Sequence, residues 1–271
     1  NDNSNKFSPK WTYNLTNGGK DGGSSFLDVY KVLSENGAAT WGEFPYIGDT
    51  NRDKNYQEWC TDEKVWRNAM NYKMDKFGYV NVDDGTDTPV KSPDSNALND
   101  VKKLLNNGYI LTYGTTFETW QYKKTGDDLS TEKDDKFTGQ TIVYAQGDNQ
   151  VQGHIMTVVG YNDDIWVDIN DNKIVDPAEK GAFKVANSWS RGWGNEGFAW
   201  LAYDSLNKVS AVSGAPEIPQ RSTIWGSGNT AHWITVKSST SEIIGEITLN
   251  HAKRNQIRIE LGMEDTDGTN I

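Results

Sequence analysis

Gly181-Ala182-Phe183-Lys184-Val185-Ala186-Asn187-Ser188-Trp189-Ser190-Arg191-Gly192-Trp193-Gly194-Asn195-Glu196-Gly197-Phe198 sets an apolar run against a turn rich in Gly, Asn and Trp. Gly181 to Asn187 reads as one strand, and a second aromatic strand follows from Phe198 to Tyr203. Thirty-three residues before Asn187, Gly153-His154-Ile155-Met156-Thr157-Val158-Val159-Gly160-Tyr161 places a lone His at the head of another apolar strand. A histidine met alone in that position is ordinarily a satisfied core residue. The Asn-Ser-Trp segment downstream changes that reading.

Working outward, Tyr79-Val80-Asn81-Val82 alternates as a strand does before running into a turn-rich stretch that ends at Pro89, and Tyr109 to Tyr113 reads as a further strand. Helices come earlier. Ser24-Ser25-Phe26-Leu27-Asp28-Val29-Tyr30 offers a Ser N-cap and helical spacing of apolar residues, with Gly37 placed as a C-cap, which predicts a helix over roughly 25–35. Thr61 to Tyr72 and Ser95 to Asn106 each gather apolar residues on one face. Residues 1–10 are polar and read as frayed. Helices first and strands later point to an α+β fold with segregated layers.

The composition changes after Asp204. Ser213 to Gln220 holds Gly214, Pro216 and Pro219 and reads as a linker between a unit at 1–212 and a small β-rich domain at 221–271, with strands at 233–236, 243–249 and 256–261. In that tail Trp225 and Trp233 are candidates for stacking on sugars, although such residues are more often core.

With 38 acidic against 27 basic residues, the formal net charge is −11 and the pI near 4.8, so nucleic acid and anionic membrane are excluded as partners on charge. No stretch is apolar for long enough to span a membrane, and the first residues lack the regions of a signal peptide. The single cysteine, Cys60, rules out an intrachain disulfide and a four-thiolate zinc site. Abundant Asn, Asp, Gly and Trp with almost no Cys suggests a secreted or cell-surface bacterial protein.

Residues 168–179 carry a self-contained metal motif. Counting Asp168 as position 1, oxygen side chains fall at 3 (Asn170), 5 (Asn172), 9 (Asp176) and 12 (Glu179), and Ile174 at position 7 would offer its backbone carbonyl. This is the spacing of an EF-hand-like calcium loop, with Glu179 closing the coordination sphere. Lys173 stands at position 6, where Gly normally makes a left-handed turn, so a non-Gly residue must bear the strain. Calcium held here would pin a loop between two strands and perform no chemistry.

The Gly-His strand start and the Asn187-Ser188-Trp189-Ser190-Arg191-Gly192-Trp193-Gly194-Asn195-Glu196-Gly197-Phe198 segment together resemble the papain-like cysteine peptidases. Ser190 departs from the family, which usually has Gly there. Asn17-Gly18-Gly19, the helix after it and Phe44-Pro45-Tyr46-Ile47-Gly48 resemble a second family block, so the likeness runs over about residues 7–205. The resemblance implies a papain-like fold, a peptide or protein substrate, His154 as general base and Asn187 as the residue that orients it. It further implies Trp189 as the shield of their hydrogen bond, and Gly18 and Gly19 at the backbone that pairs with bound peptide.

In that family the nucleophilic Cys opens a central helix in a Gln-x-x-x-Cys-Gly-Ser-Cys-Trp context ahead of the Asn-Gly-Gly turn. Phe7-Ser8-Pro9 resembles the segment after that helix, so the register places the Cys upstream of Asn1, in an N-terminal segment that would itself be a partner. Cys60 lacks the context. Ser25, in Gly23-Ser24-Ser25-Phe26, imitates Gly-Ser-Cys-Trp with Ser for Cys, but lies only 19 residues before Phe44, too close for the intervening family segments. The chain is therefore expected to be the His/Asn-bearing portion of a thiol peptidase, inactive alone. The alternative is a non-catalytic, calcium-stabilised binding or surface module on the same scaffold.

Overall fold

The computed structural model describes residues 6–47, 52–147, 153–226 and 228–237, together with 249–250, 252–253 and 257–259. Among the described residues four α-helices precede the first strand. Helix α1 (Pro9–Thr16) starts on Ser8, whose Oγ accepts the Trp11 N–H, and Pro9 sits in the first turn, where its missing N–H leaves no bond unmade. The expectation of fraying through residue 10 is thus corrected: Ser8 and Lys10 are buried, and Lys10 pairs with Glu58.

Helix α2 (Phe26–Glu35) is capped by Ser25, which accepts from the Asp28 N–H, and ends at Asn36 before Gly37. Gly37 has φ +70°, and a Cβ there would fall 1.9 Å from the Ala69 carbonyl oxygen, so both conformation and space demand glycine. Helices α3 (Arg52–Gln57) and α4 (Glu63–Ala69) follow. Trp11, Ala39, Phe44, Cys60, Val65 and Ala69 form one core among these helices. The fully buried Trp11 alone removes enough apolar area to contribute about 2–3 kcal/mol.

Among the described residues the rest builds an eight-stranded sheet with one further helix and short turns of helix. Its strands are β1 (Lys73–Asn81), β2 (Leu111–Thr115), β3 (Trp120–Lys124), β4 (Thr141–Gln146), β5 (His154–Trp166), β6 (Lys180–Ala186), β7 (Phe198–Ala202) and β8 (Thr230–Lys237). They lie in the order β1-β8-β2-β5-β6-β7-β4-β3, antiparallel throughout except for β4 beside β7. Helix α5 (Asn99–Asn106) packs Val101 into the main core with Leu98, Leu111, Val158 and Phe183. The fold class is α+β, as the sequence implies.

The C-terminal boundary differs from expectation. Thr230–Lys237, expected to belong to a separate domain from residue 221, lies inside the main sheet between β1 and β2. Trp225 is 2% exposed and packs on Tyr113 and Phe183, so it is core and not a sugar platform. Nor does 213–220 separate two units: it carries no regular element, and Ala215 and Ile218 pack on the core formed by Ile142, Val167 and Trp200. Of the strand expected at 243–249 only Leu249 is described, and of that expected at 256–261 only Ile257–Ile259; neither lies in a strand.

The crossing from β7 to β8 is anchored by a buried carboxylate. Asp204 Oδ1 accepts from the Ala211 N–H at 2.8 Å and Asn207 Nδ2 at 2.9 Å, while Oδ2 accepts from Ser210 Oγ at 2.7 Å and Arg221 at 2.8 Å. The side chains of Arg221 and Asp204 are 8% and 0% exposed. One ion pair thereby ties the start of the crossing to a point nine residues before β8.

Candidate active site and candidate metal loop

The register Thr157↔Ala186 between β5 and β6 puts the head of β5 beside the tail of β6. Antiparallel pairing alone therefore brings His154, the first residue of β5, to Asn187, the residue after β6. The two side chains meet, with His154 Nε2 and Asn187 Oδ1 3.0 Å apart. Because an amide oxygen only accepts, Nε2 carries the proton and Nδ1 is left as the basic nitrogen.

The turn after Asn187 folds back on itself through Asn187 N–H to the Gly197 carbonyl at 3.1 Å. Ser190 adopts φ +67° in this turn, the left-handed conformation that a glycine would hold without strain. That is the physical meaning of the Ser-for-Gly departure. Trp189 is carried over the histidine, with ring centroids 5.2 Å apart. Phe117, in the short turn between β2 and β3, closes the group at 5.6 Å from the His154 ring and 4.7 Å from Trp189, edge-on to the latter. The two aromatics pack against the His154 ring, with Trp189 itself 45% exposed. Sequence reasoning missed Phe117, which belongs to no motif.

His154 opens onto a cleft of about 950 Å³ between the helical part and the sheet. Gly23, Ser24, Ser25 and Phe26 from the start of α2 line one side, and Gly114, Thr115, Gly153, Ile155, Ser188 and His232 the other. Phe26 stacks on His232 at 4.5 Å, and burial lowers the pKa of that imidazole. Ser25 is engaged as a cap, its Oγ bonded to Asp28 Oδ2 at 2.7 Å. Cys60 lies elsewhere, buried with Trp11 and Phe44, its Sγ 3.8 Å from the Asp62 carbonyl oxygen. Burial pushes its thiol pKa up, the opposite of what a nucleophile needs.

Gly18 and Gly19 are not among the residues lining this cleft. They take φ +61° and +80° in the turn after α1, where Asn17 Oδ1 accepts the Gly19 N–H at 2.7 Å. Gly18 instead lines a hollow with Leu15, Trp59, Leu249, Ile257 and Ile259.

No protein-family model and no curated protein sequence matches the chain. Solved structures do. The chain is similar to SERA5E from Plasmodium falciparum at 16% identity and a TM-score of 0.52, over 88% of this chain and 79% of that one. It is also similar to the clostridial cysteine protease Cwp84 after propeptide cleavage, at 16% identity and a TM-score of 0.50, over 86% of this chain and 48% of that one. A structure of the cysteine protease and lectin-like domains of Cwp84, a surface layer associated protein of Clostridium difficile, gives 16% and 0.50 over 88% and 43%. The fold is that of the papain-like cysteine proteases. This chain spans less than half the length of either Cwp84 chain. On a papain-like fold, the His154–Asn187 pair under Trp189 occupies the head of β5 and the tail of β6.

The 168–179 segment turns on its own side chains, but among the described residues Asp168, Asp176 and Glu179 do not bring a carboxylate oxygen each within 4.8 Å of one another. Asp168 accepts the N–H groups of Asn172 and Lys173, each at 3.0 Å, Asn170 Oδ1 accepts Asn172 N–H at 3.1 Å, and Asn172 Oδ1 accepts Ile174 N–H at 2.7 Å. Lys173 has φ +62°, the left-handed turn expected of a Gly at that position, and Asp171 has φ +60°. Glu179, 1% exposed, reaches back across the loop: Oε1 accepts from Ile169 N–H at 2.8 Å and Oε2 from Trp166 Nε1 at 3.2 Å. Both its oxygens thus already have N–H donors. Asp176 adds its backbone carbonyl to the Glu179 N–H, and the Lys123 ammonium lies 2.6 Å from Asp171. Carboxylates and amide oxygens are the donor types a hard cation takes, but with Glu179 turned to Ile169 and Trp166 they are not drawn together into one shell.

Proposed function

We propose that this chain is the His/Asn-bearing part of a papain-like thiol peptidase that hydrolyses peptide bonds in peptides or proteins. The observation that carries the reading is the 3.0 Å His154–Asn187 pair beneath Trp189, at the wall of an open cleft on this fold. With Nε2 tied to Asn187, Nδ1 takes the proton of a thiol and leaves a thiolate–imidazolium pair. The thiolate attacks the peptide carbonyl, the imidazolium protonates the departing amine, and His154 then deprotonates the water that releases the acyl group.

The buried Cys60 cannot supply that sulfur, so in this reading the thiol comes from a segment that this sequence does not contain. Consistent with a missing packing partner, Phe77, Tyr79, Ile155 and Ile234 remain 38–69% exposed on the sheet face that α2 only partly covers. The test is turnover of fluorogenic peptides by the product of the natural gene, before and after thiol alkylation. Turnover that alkylation abolishes is expected, with residues 1–271 inert alone. A product that cleaves nothing leaves the second reading, a non-catalytic binding or surface module, which the burial of the only cysteine favours.

A location outside the cell or at its surface accords with the surface layer association of Cwp84, and no described helix is long and apolar enough to cross a membrane. Calcium in the 168–179 loop belongs to the same reading, held by Asp168, Asn170, Asn172, Asp176, Glu179 and the Ile174 carbonyl. Saturating calcium should raise the melting midpoint by about 5–10 °C over chelator, if the ion is present at roughly a hundred times its dissociation constant. The Asp168→Asn chain should lose the part of that rise that the loop supplies; an undiminished rise would remove the loop from consideration.

A further inference from the structure

Three aspartates of the segment joining β3 to β4 converge. Asp127 comes from the outgoing arm, while Asp134 and Asp135 come from the turn that leads back to β4. One carboxylate oxygen of each lies within 4.8 Å of the others. Asp127 and Asp135 are exposed, whereas Asp134 is 1% exposed.

Asp134 is the telling member. Its Oδ2 accepts the Asp128 N–H at 2.9 Å, but its Oδ1 is buried with no hydrogen-bond partner among the described residues. A buried carboxylate oxygen without a donor is costly. Nor does a basic side chain neutralise the group. Lys180 is engaged with Asp128 at 2.7 Å, Lys133 with Asp164 at 3.5 Å, and Lys136 lies over the Phe137 ring; among the described residues none pairs with Asp127, Asp134 or Asp135.

Converging carboxylates with no counter-charge call for a cation of hard, oxygen-seeking character. Calcium takes oxygens at about 2.3–2.6 Å, so opposite members of its shell stand about 5 Å apart, and the three oxygens here fit inside one such shell. We propose that Asp127, Asp134 and Asp135 form a divalent-cation site that takes calcium and is separate from the 168–179 loop. The site fastens the acidic segment against the sheet, where the Gly126 N–H already donates to the Trp166 carbonyl at 2.9 Å. A Cβ at Gly126 would fall 2.3 Å from the Trp166 ring, so the backbone is seated directly on that indole.

The test is calorimetric titration of the metal-stripped 271-residue chain with calcium chloride in an Asp168→Asn background, which disables the other loop. The Asp168→Asn chain should still bind calcium, and adding Asp127→Asn and Asp135→Asn should weaken that binding at least tenfold, since ligand charge sets the affinity of such sites. Both added substitutions are at exposed positions and remove like charges, so the melting midpoint in chelator should not fall. No calcium binding by the Asp168→Asn chain overturns the proposal, as does unchanged affinity after the two added substitutions. Failure of the 168–179 loop alone would show as unchanged binding between the wild-type and Asp168→Asn chains, and leaves this site standing.

Discussion

His154→Ala is expected to lower kcat/KM of the thiol-bearing natural product by about 10³–10⁴-fold, the loss that follows when a general acid–base group is deleted. Asn187→Ala should cost less, on the order of 10²-fold, because the imidazole remains and only its orientation and its Nε2 proton are released. Asn187→Asp separates positioning from mere packing. A carboxylate at that place stabilises the imidazolium, so the basic limb of the pH profile should move upward while the shape of the site is kept. The readout is kcat/KM against pH for the three variants. Retention of wild-type turnover by His154→Ala would end the assignment of the base, and a loss in Asn187→Asp without movement of the pH profile would reduce Asn187 to a structural residue.

The second large effect concerns stability and does not depend on activity. Asp204→Ala should destabilise the protein by about 3–5 kcal/mol, because it strands the Arg221 guanidinium in a site where its side chain is only 8% exposed. Replacing both partners with apolar residues of similar volume should recover much of the loss, since no buried charge is then unpaired. The exposed pair Lys103–Asp100 is the internal control: its side chains are 71% and 74% exposed, and Asp100→Asn should change stability by less than about 1 kcal/mol. Denaturant midpoints for these variants provide the comparison. Equal effects at the two pairs would show that the crossing from β7 to β8 is not anchored by Asp204.

Much of the sheet was legible in the chain because β5, β6 and β7 are apolar runs bounded by Gly, Asn and Asp. Helix α2 was legible to within a residue from its Ser cap and terminal Gly37. Helix α1 was not, although Ser8-Pro9 is a sound start signal, because the polar residues before it drew the reading toward a frayed end. β3 and β4 went unseen beside the Asp- and Lys-rich segment that joins them. β8 was recognised as a strand but assigned to the wrong body, since local pattern fixes a strand's existence and says nothing of which sheet it joins. The site divides the same way. His154, Asn187 and Trp189 are named by the resemblance to the papain-like motif, whereas Phe117 and the Asp127–Asp134–Asp135 convergence exist only once the chain has turned back on itself.

The position of β8 has a consequence for how the protein is made. β1 finds its main partner about 150 residues later in the chain, and β2 meets β8 at Thr112↔His232. A ribosome that has released β1 and β2 has therefore produced two strands whose shared neighbour has not yet been translated. Contacts of such sequence separation slow folding and leave strand edges open to wrong partners in the interval. Residues 230–237 thus act as the closing stitch of the nascent chain, and the edge of β1 stays open until they emerge.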